Sequence, residues 1–141
     1  GINGKISELQ GAMGLAVLPH METILHDRKG VVDFYNQNLD LAQVQTLKIR
    51  ENTQWNYSYY PIILKDEATL LRMQKALNEE QIFPRRYFYP SLNTINYIEK
   101  ISMPVSESIA ARILCLPLYK ELIERDIFKI CSIINKANNV I

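Results

Sequence analysis

The repeat that most constrains this chain runs from Met21 to Leu39. Met21, Ile24, Leu25, Arg28, Val31, Val32, Tyr35 and Leu39 recur at spacings of three and four, and all but Arg28 are apolar. That period puts them on one face of a helix, which needs an apolar layer to cover it. Pro19 removes a helical hydrogen bond, so a helix arriving from upstream kinks or restarts there. The long helix is expected to end near Asn38 to Asp40. Upstream, Ser7 and Gln10 have the spacing of a capping box, so a first helix begins near Ser7. Leu9, Ala12, Met13, Ala16 and Val17 share one of its faces. Gly11, Ala12, Gly14 and Ala16 make it slim, so another backbone or a ligand can come close, at a cost in helix propensity for the glycines.

Beyond the long helix the chain breaks into short strand-like segments punctuated by helices. Val44 to Arg50 alternates apolar and polar residues and predicts a strand. Glu51 to Gln54 reads as a turn. Trp55 to Lys65 is rich in aromatic and β-branched residues and predicts a second strand, with Pro61 arguing for an edge position or a break. Asp66 caps a helix running to about Glu79, with Leu70, Met73, Ala76 and Leu77 inward. Ile82 to Tyr89 predicts a third, irregular strand, and Ser91 to Met103 a loop with room for one helical turn. Pro104 and Ser106 open a short helix through Arg112. Ile113 to Tyr119 predicts a fourth strand. Ile123, Ile127, Ile130, Ile134 and Ala137 mark a last helix. The order predicts an α+β fold: a long N-terminal helix and a small, mainly antiparallel sheet covered by helices on one face.

A chain of 141 residues suits one domain, or a small domain with an appendage, and buries roughly two-thirds of its unfolded surface. A formal charge of +1 gives no bulk attraction to nucleic acid or anionic membrane. No apolar run approaches the ~20 residues that span a bilayer. Gly1 to Gln10 lacks the pattern of a signal peptide, and Cys115 and Cys131 read as buried thiols, so a cytoplasmic setting is expected. The chain opens without a methionine, on a Gly1-Ile2-Asn3-Gly4 turn ahead of a helix. That start reads like the interior of a larger protein.

The chemically loaded segment is Ile82 to Tyr97, with two adjacent arginines, five aromatic residues and two prolines. Three aromatics in a row are poorly suited to a solvated loop. Two adjacent arginines are poorly suited to a core strand. The mixture fits a concave wall for a flat, anionic ligand, with Arg85 and Arg86 as forked donors and Tyr87 to stack or bond. It also fits an edge strand whose arginines snorkel to water over a packed aromatic face, which composition alone favours. If the segment is extended, one arginine points away from any ligand and can pair with a carboxylate of its own domain.

Most catalytic patterns are missing. His20 and His26 are six apart, too far round a helix to share a metal, so no metal site is expected. No glycine-rich phosphate loop and no serine elbow occur. Nine lysines lie on apparent surfaces, and none has the desolvated setting of a Schiff-base lysine. Read from the residues alone, the chain is an α+β domain with one ligand-like wall and no complete catalytic set.

Three segments together resemble one family. Gly1 to His20 is similar to the Gly-Tyr-Asn-x-Arg/Lys-Met stretch and following small-residue helix of the DegT/DnrJ/StrS sugar aminotransferases. Phe83 to Tyr97 resembles their substrate-facing segment. Pro104 to Tyr119 resembles their Pro-x-Ser/Ala-Glu…Leu-x-Leu-Pro-Leu-Tyr signature. The resemblance covers nearly the whole chain. It implies the C-terminal small domain of an aspartate-aminotransferase-fold enzyme that uses pyridoxal phosphate. Such an enzyme moves an amino group, usually from glutamate, onto a nucleotide-linked keto-sugar for amino-sugar and surface-polysaccharide synthesis. It also implies a homodimer with shared sites and a catalytic lysine upstream of Gly1, so no catalytic residue is expected in this chain and no cofactor bound to it alone.

On that reading residues 1–40 link to a large domain and the dimer partner, and residues 41–141 form the small domain. Asn3, with Lys5, is expected at the cofactor phosphate of the neighbouring subunit, since a turn ahead of a helix favours anions. Arg85, Arg86 and Tyr87 are expected to face the sugar nucleotide, with Tyr89 and Asn93 as outer contributors. Ile2, Ile6 and Asn93 depart from the family's common tyrosine, methionine and histidine, which bears on sugar preference. The competing class is a stand-alone, non-catalytic binding or interaction module. Nucleic-acid binding by the aromatic wall is disfavoured, because charge elsewhere is balanced rather than gathered on one face.

Overall fold

A computed structural model describes residues 4–138. Helix α1 spans Glu8–Val17 and opens on the capping box: the Ser7 hydroxyl accepts from the Gln10 amide, and the Gln10 side chain accepts from the Ser7 amide. Pro19 marks a 3-10 turn, Leu18–His20, after which α2 runs Met21–Asn38. Its buried residues are Val31, Val32 and Tyr35, so the second half of the helix, with Leu39 just beyond it, meets the core. No residue of α1 is buried.

The sheet has three antiparallel strands, β1 (Gln45–Thr46), β2 (Tyr60–Ile63) and β3 (Ile113–Leu116), in the order β1-β2-β3. Helix α3 (Glu67–Glu79) starts at Asp66, whose carboxylate accepts from the Thr69 amide at 2.7 Å. Helix α4 (Pro104–Arg112) runs straight into β3, and α5 (Glu124–Asn138) closes the domain. Helices α2, α3 and α5 cover one face of the sheet. There Tyr60, Ile62, Leu64, Leu114 and Leu116 meet Tyr35, Leu70, Met73, Leu77, Ile127, Ile130 and Ile134 in one core. Side-chain ties fix α2 to the rest, one of them from the Tyr60 hydroxyl of β2 to Asn36 Oδ1. Asn135 of α5 donates to the Asn38 carbonyl and accepts from the Asp40 amide. The Tyr35 hydroxyl donates to the Pro117 carbonyl at 2.9 Å.

Five expectations need correction, and each turns on proline or on left-handed backbone. Pro61 lies in the central strand, not at an edge. Cys115, its partner across β3, gives both backbone groups to Arg85 on the other side, so Pro61 needs no bond from β3. Its missing N–H faces β1, which has already ended at Thr46 opposite Ile62. The same gap explains why the strand expected over Val44 to Arg50 shrinks to two residues. The strand expected from Trp55 begins only at Tyr60, because Tyr57 sits at φ 51° and turns the chain. The strand expected to reach Tyr119 stops at Leu116, since Pro117 has no donor to extend it.

Ile82 to Tyr89 is not a strand. Only Arg85 pairs, with Cys115. The next outward-facing position on β3's side is Pro117, so a ladder cannot grow.

Candidate functional site

The aromatic–arginine wall is built on that single backbone pair. Arg85 N donates to the Cys115 carbonyl at 3.0 Å, and Cys115 N to the Arg85 carbonyl at 2.8 Å. Pro84 before it is buried. The two arginines then diverge. Arg85 is exposed, and no hydrogen bond or ion pair holds its guanidinium among the described residues. Arg86 keeps only 15% of its side-chain surface. Its Nη2 lies 2.7 Å from Glu67 Oε1 in the first turn of α3 and 3.1 Å from the Ala111 carbonyl at the end of α4. The guanidinium carbon sits 3.6 Å above the Tyr89 ring. Arg86 is therefore the member of the pair that turns to a carboxylate of its own domain.

Tyr87 is half-buried and meets Tyr59 edge to face, with ring centres 5.5 Å apart at 85°. It separates two clefts. The first, of about 590 Å³, is lined by Arg85, Tyr87, Tyr59, Cys115, Tyr119 and Lys129 among others. The second, of about 670 Å³, is more apolar, with Tyr87, Phe88, Leu92, Asn93, Ile101 and Ile113 in its walls. In the first cleft Lys129 Nζ is 2.8 Å from Glu80 Oε2, and this partner holds the Glu80 carboxyl below its ordinary range. Among the described residues, the Arg85 guanidinium in this cleft has no such partner. Burial pushes the Cys115 thiol up, against an opposing hydrogen bond from the Tyr87 backbone amide, so it is a neutral wall rather than a nucleophile.

The remaining predicted site residues lie elsewhere. Tyr89 is half-exposed against Arg86 and lines neither cleft. Asn93 lines the second cleft, but its amide is occupied. Its Nδ2 donates to Glu107 Oε1 at 2.6 Å and to the Ile101 carbonyl at 2.8 Å, and its Oδ1 accepts from Ser91 Oγ at 2.6 Å. Lys5 is exposed ahead of α1, and Asn3 lies outside the described residues. The structure therefore joins Arg85 with Tyr87 in one cleft and Tyr87 with Asn93 in the other, while Arg86 and Tyr89 form a separate stack.

Sequence reasoning missed Tyr59, Lys129, Glu67 and Glu107. Glu107 stands inside the Pro-x-Ser-Glu motif, whereas Glu67 looks like an ordinary acidic first-turn residue. Among the described residues no cluster of three or more His, Cys, Asp or Glu side chains could hold a metal ion. No described helix is long and apolar enough to cross a membrane.

A family model described as the DegT/DnrJ/EryC1/StrS aminotransferase family matches residues 1–135. The chain belongs to this family. It is 33% identical over 144 residues to a dTDP-4-amino-4,6-dideoxy-D-glucose transaminase of Escherichia coli, covering 95% of this chain and 38% of the relative. It is 27% identical to a GDP-perosamine synthase of Vibrio cholerae, covering 99% of this chain and 39% of that one. In structure it superposes on a DegT DnrJ EryC1 StrS aminotransferase from Brucella abortus with a TM-score of 0.84 at 26% identity, over 99% of this chain and 38% of the other. The chain thus spans under two-fifths of the length of the curated relatives it matches.

The family implies pyridoxal phosphate, and every described lysine is exposed. Schiff-base chemistry needs a lysine with a depressed pKa in a closed pocket. Lys129, in the wall of the first cleft, is half-exposed and ion-paired to Glu80. Lys29 and Lys75 are likewise paired along their own helices, with Asp33 and Glu79.

Proposed function

We propose that this chain is the C-terminal part of a pyridoxal-phosphate-dependent aminotransferase that aminates a nucleotide-linked keto-sugar, with glutamate as donor. The observation that carries the reading is the family match over residues 1–135 in a chain spanning under two-fifths of its relatives. The Escherichia coli and Vibrio cholerae relatives are named for nucleotide-linked amino-sugars, one dTDP- and one GDP-linked. Arg85 is the anion contact and Tyr87 the ring contact for the sugar nucleotide. Arg86, Tyr89 and Asn93 hold the wall behind them.

Residues 1–40 join the small domain to a large domain and to the partner subunit of a homodimer. Helix α1 supports this part of the reading: Leu9, Met13 and Leu15 are 71, 60 and 74% exposed, a surface suited to burial against another domain. Asn3 and Lys5 reach the cofactor phosphate of the neighbouring subunit. The lysine that carries the cofactor lies outside this chain, so residues 1–141 alone do not transaminate. A cytoplasmic, reducing setting suits the free buried thiols of Cys115 and Cys131.

The test compares this chain with its full reading frame. Each is mixed with pyridoxal phosphate, glutamate and a dTDP- or GDP-linked 4-keto-6-deoxy sugar, and amino-sugar product is followed by mass spectrometry. Turnover by the full product and none by this chain, above the rate of free cofactor, is the expected result. Enzymic turnover by the chain alone would sink the reading of its lysines. No turnover by the full product would sink the aminotransferase reading.

A further inference from the structure

The wall has little backbone support. Beyond the Arg85–Cys115 pair, residues 86–90 make no backbone-to-backbone hydrogen bond among the described residues, the Tyr87 amide meeting the Cys115 thiol instead, and support resumes with the Thr94 amide on the Ser91 carbonyl. Arg85 and Tyr87 nonetheless hold defined places in the first cleft. Side chains hold the segment from both ends. At one end Arg86 is tied to Glu67 of α3 and to the Ala111 carbonyl of α4. At the other, Asn93 is tied to Glu107 of α4, while Ser91 Oγ reaches both Asn93 Oδ1 and, at 3.1 Å, Ser106 Oγ. Glu107 Oε1 also accepts from the Met103 amide at 2.8 Å, which seats the carboxylate over the N-terminus of its own helix.

We propose that Glu67 and Glu107 are positioning residues for the sugar-nucleotide wall: Glu67 holds Arg86, Glu107 holds Asn93, and the segment between them is thereby set so that Arg85 and Tyr87 face the cleft. The inference rests on the reading of Arg85 and Tyr87 as substrate contacts. Fixing Arg86 inward fixes its neighbour outward, since adjacent side chains of an extended segment point to opposite sides. Bonds from Arg86 and Asn93 to carboxylates are charge-assisted and directional, so they hold geometry as well as contact. Neither carboxylate lines the first cleft, so each acts on substrate through another residue.

The test uses Glu107→Ala, Glu107→Gln, Glu67→Ala and Glu67→Gln in two settings. In this chain, the proximity of the Tyr59 and Tyr87 rings is read by nuclear Overhauser effects. In the full-length aminotransferase, KM for the sugar nucleotide and kcat are measured separately. The alanine variants are expected to lose the ring contact and to raise KM about tenfold with kcat nearly unchanged, as loss of a charged hydrogen bond from a binding surface predicts. Glutamine keeps an acceptor, so Glu107→Gln is expected to restore most of both. If alanine at 107 prevents folding, Ser91→Ala removes one strut and no charge, and is expected to move both readouts the same way by less.

Alanine variants that keep the ring contact and the KM would overturn the proposal. So would a fall in kcat at constant KM, or a glutamine variant no better than alanine. A full-length protein without transaminase activity would refute the proposed function, and the ring contact alone would then decide whether the two carboxylates set the wall.

Discussion

Tyr35→Phe isolates one part-buried hydrogen bond. Tyr35 is wholly buried and its ring stacks on Tyr60 at 4.7 Å with 25° between planes. Phenylalanine keeps that stack and removes only the hydroxyl that donates to the Pro117 carbonyl at 2.9 Å. Removing one partner leaves the other facing a sealed side chain, a loss of about 1–3 kcal/mol. Unfolding entropy is about 2.1 cal/mol/K per residue, so for a chain of this length 1 kcal/mol moves the midpoint by roughly 3–4 °C. The variant is expected to melt roughly 3–10 °C lower, and its urea midpoint to fall at constant slope.

Tyr60→Phe is the internal control. It loses a 2.7 Å bond to Asn36 Oδ1, but Asn36 is exposed and water replaces the hydroxyl, so its cost is expected to be smaller. A Tyr35→Phe protein within about 0.5 kcal/mol of wild type, or one hurt less than Tyr60→Phe, would refute the claim that the Pro117 carbonyl depends on Tyr35.

Arg85→Ala is expected to weaken sugar-nucleotide binding in the full-length enzyme and leave the melting point unchanged. Arg86→Ala is expected to cost on the order of 1 kcal/mol of stability, discounted because its partner Glu67 is 40% exposed; calorimetry and KM together separate the two arginines. The Thr69 amide holds the Asp66 carboxyl below its ordinary range. The stability this adds is present above the unfolded pKa of ~3.9 and is lost as pH falls through the lower folded value. Melting curves from neutral to acid pH are expected to show a shallower loss in Asp66→Asn, which still caps the helix but does not titrate. Leu9→Gln with Met13→Gln is expected to shift this chain toward monomer in sedimentation at high concentration. A wild-type chain already monomeric there would count against α1 as an uncovered contact face.

Helices were legible because each carried a local signal, an apolar period, a cap or an opening proline, and α1 and α3 carried both a period and a cap. Ser7 with Gln10, Asp66 with the Leu70–Met73–Leu77 stripe, and Pro104 at the start of α4 all stand where the sequence places them. Strands were overextended because β-propensity reports a residue's fit to a half-buried surface rather than the presence of a partner. Trp55 and Tyr57 have strand chemistry, yet they pack ring on ring at 4.7 Å in an irregular segment against the core. The wall was legible as a composition but not as a geometry. Nothing near Arg86 in sequence names Glu67, 19 residues away, and nothing near Asn93 names Glu107, 14 residues on. Such ties belong to helix placement, which the local pattern does not encode.

The position of Pro61 has a consequence for misfolding. A three-stranded sheet of short apolar segments can shift along itself, and a shift of one residue would exchange its two faces. Here such a slip would bring Pro61 to a site where β3 presents a carbonyl awaiting a donor, as Tyr60 and Ile62 now meet Leu116 and Leu114. The proline cannot supply one. It therefore acts as a key that fits the sheet in a single alignment, and it denies the central strand a continuous row of donors on the β1 side that a stray chain could copy. Pro61→Val is expected to leave the native pairing intact while making the chain more prone to ordered aggregation.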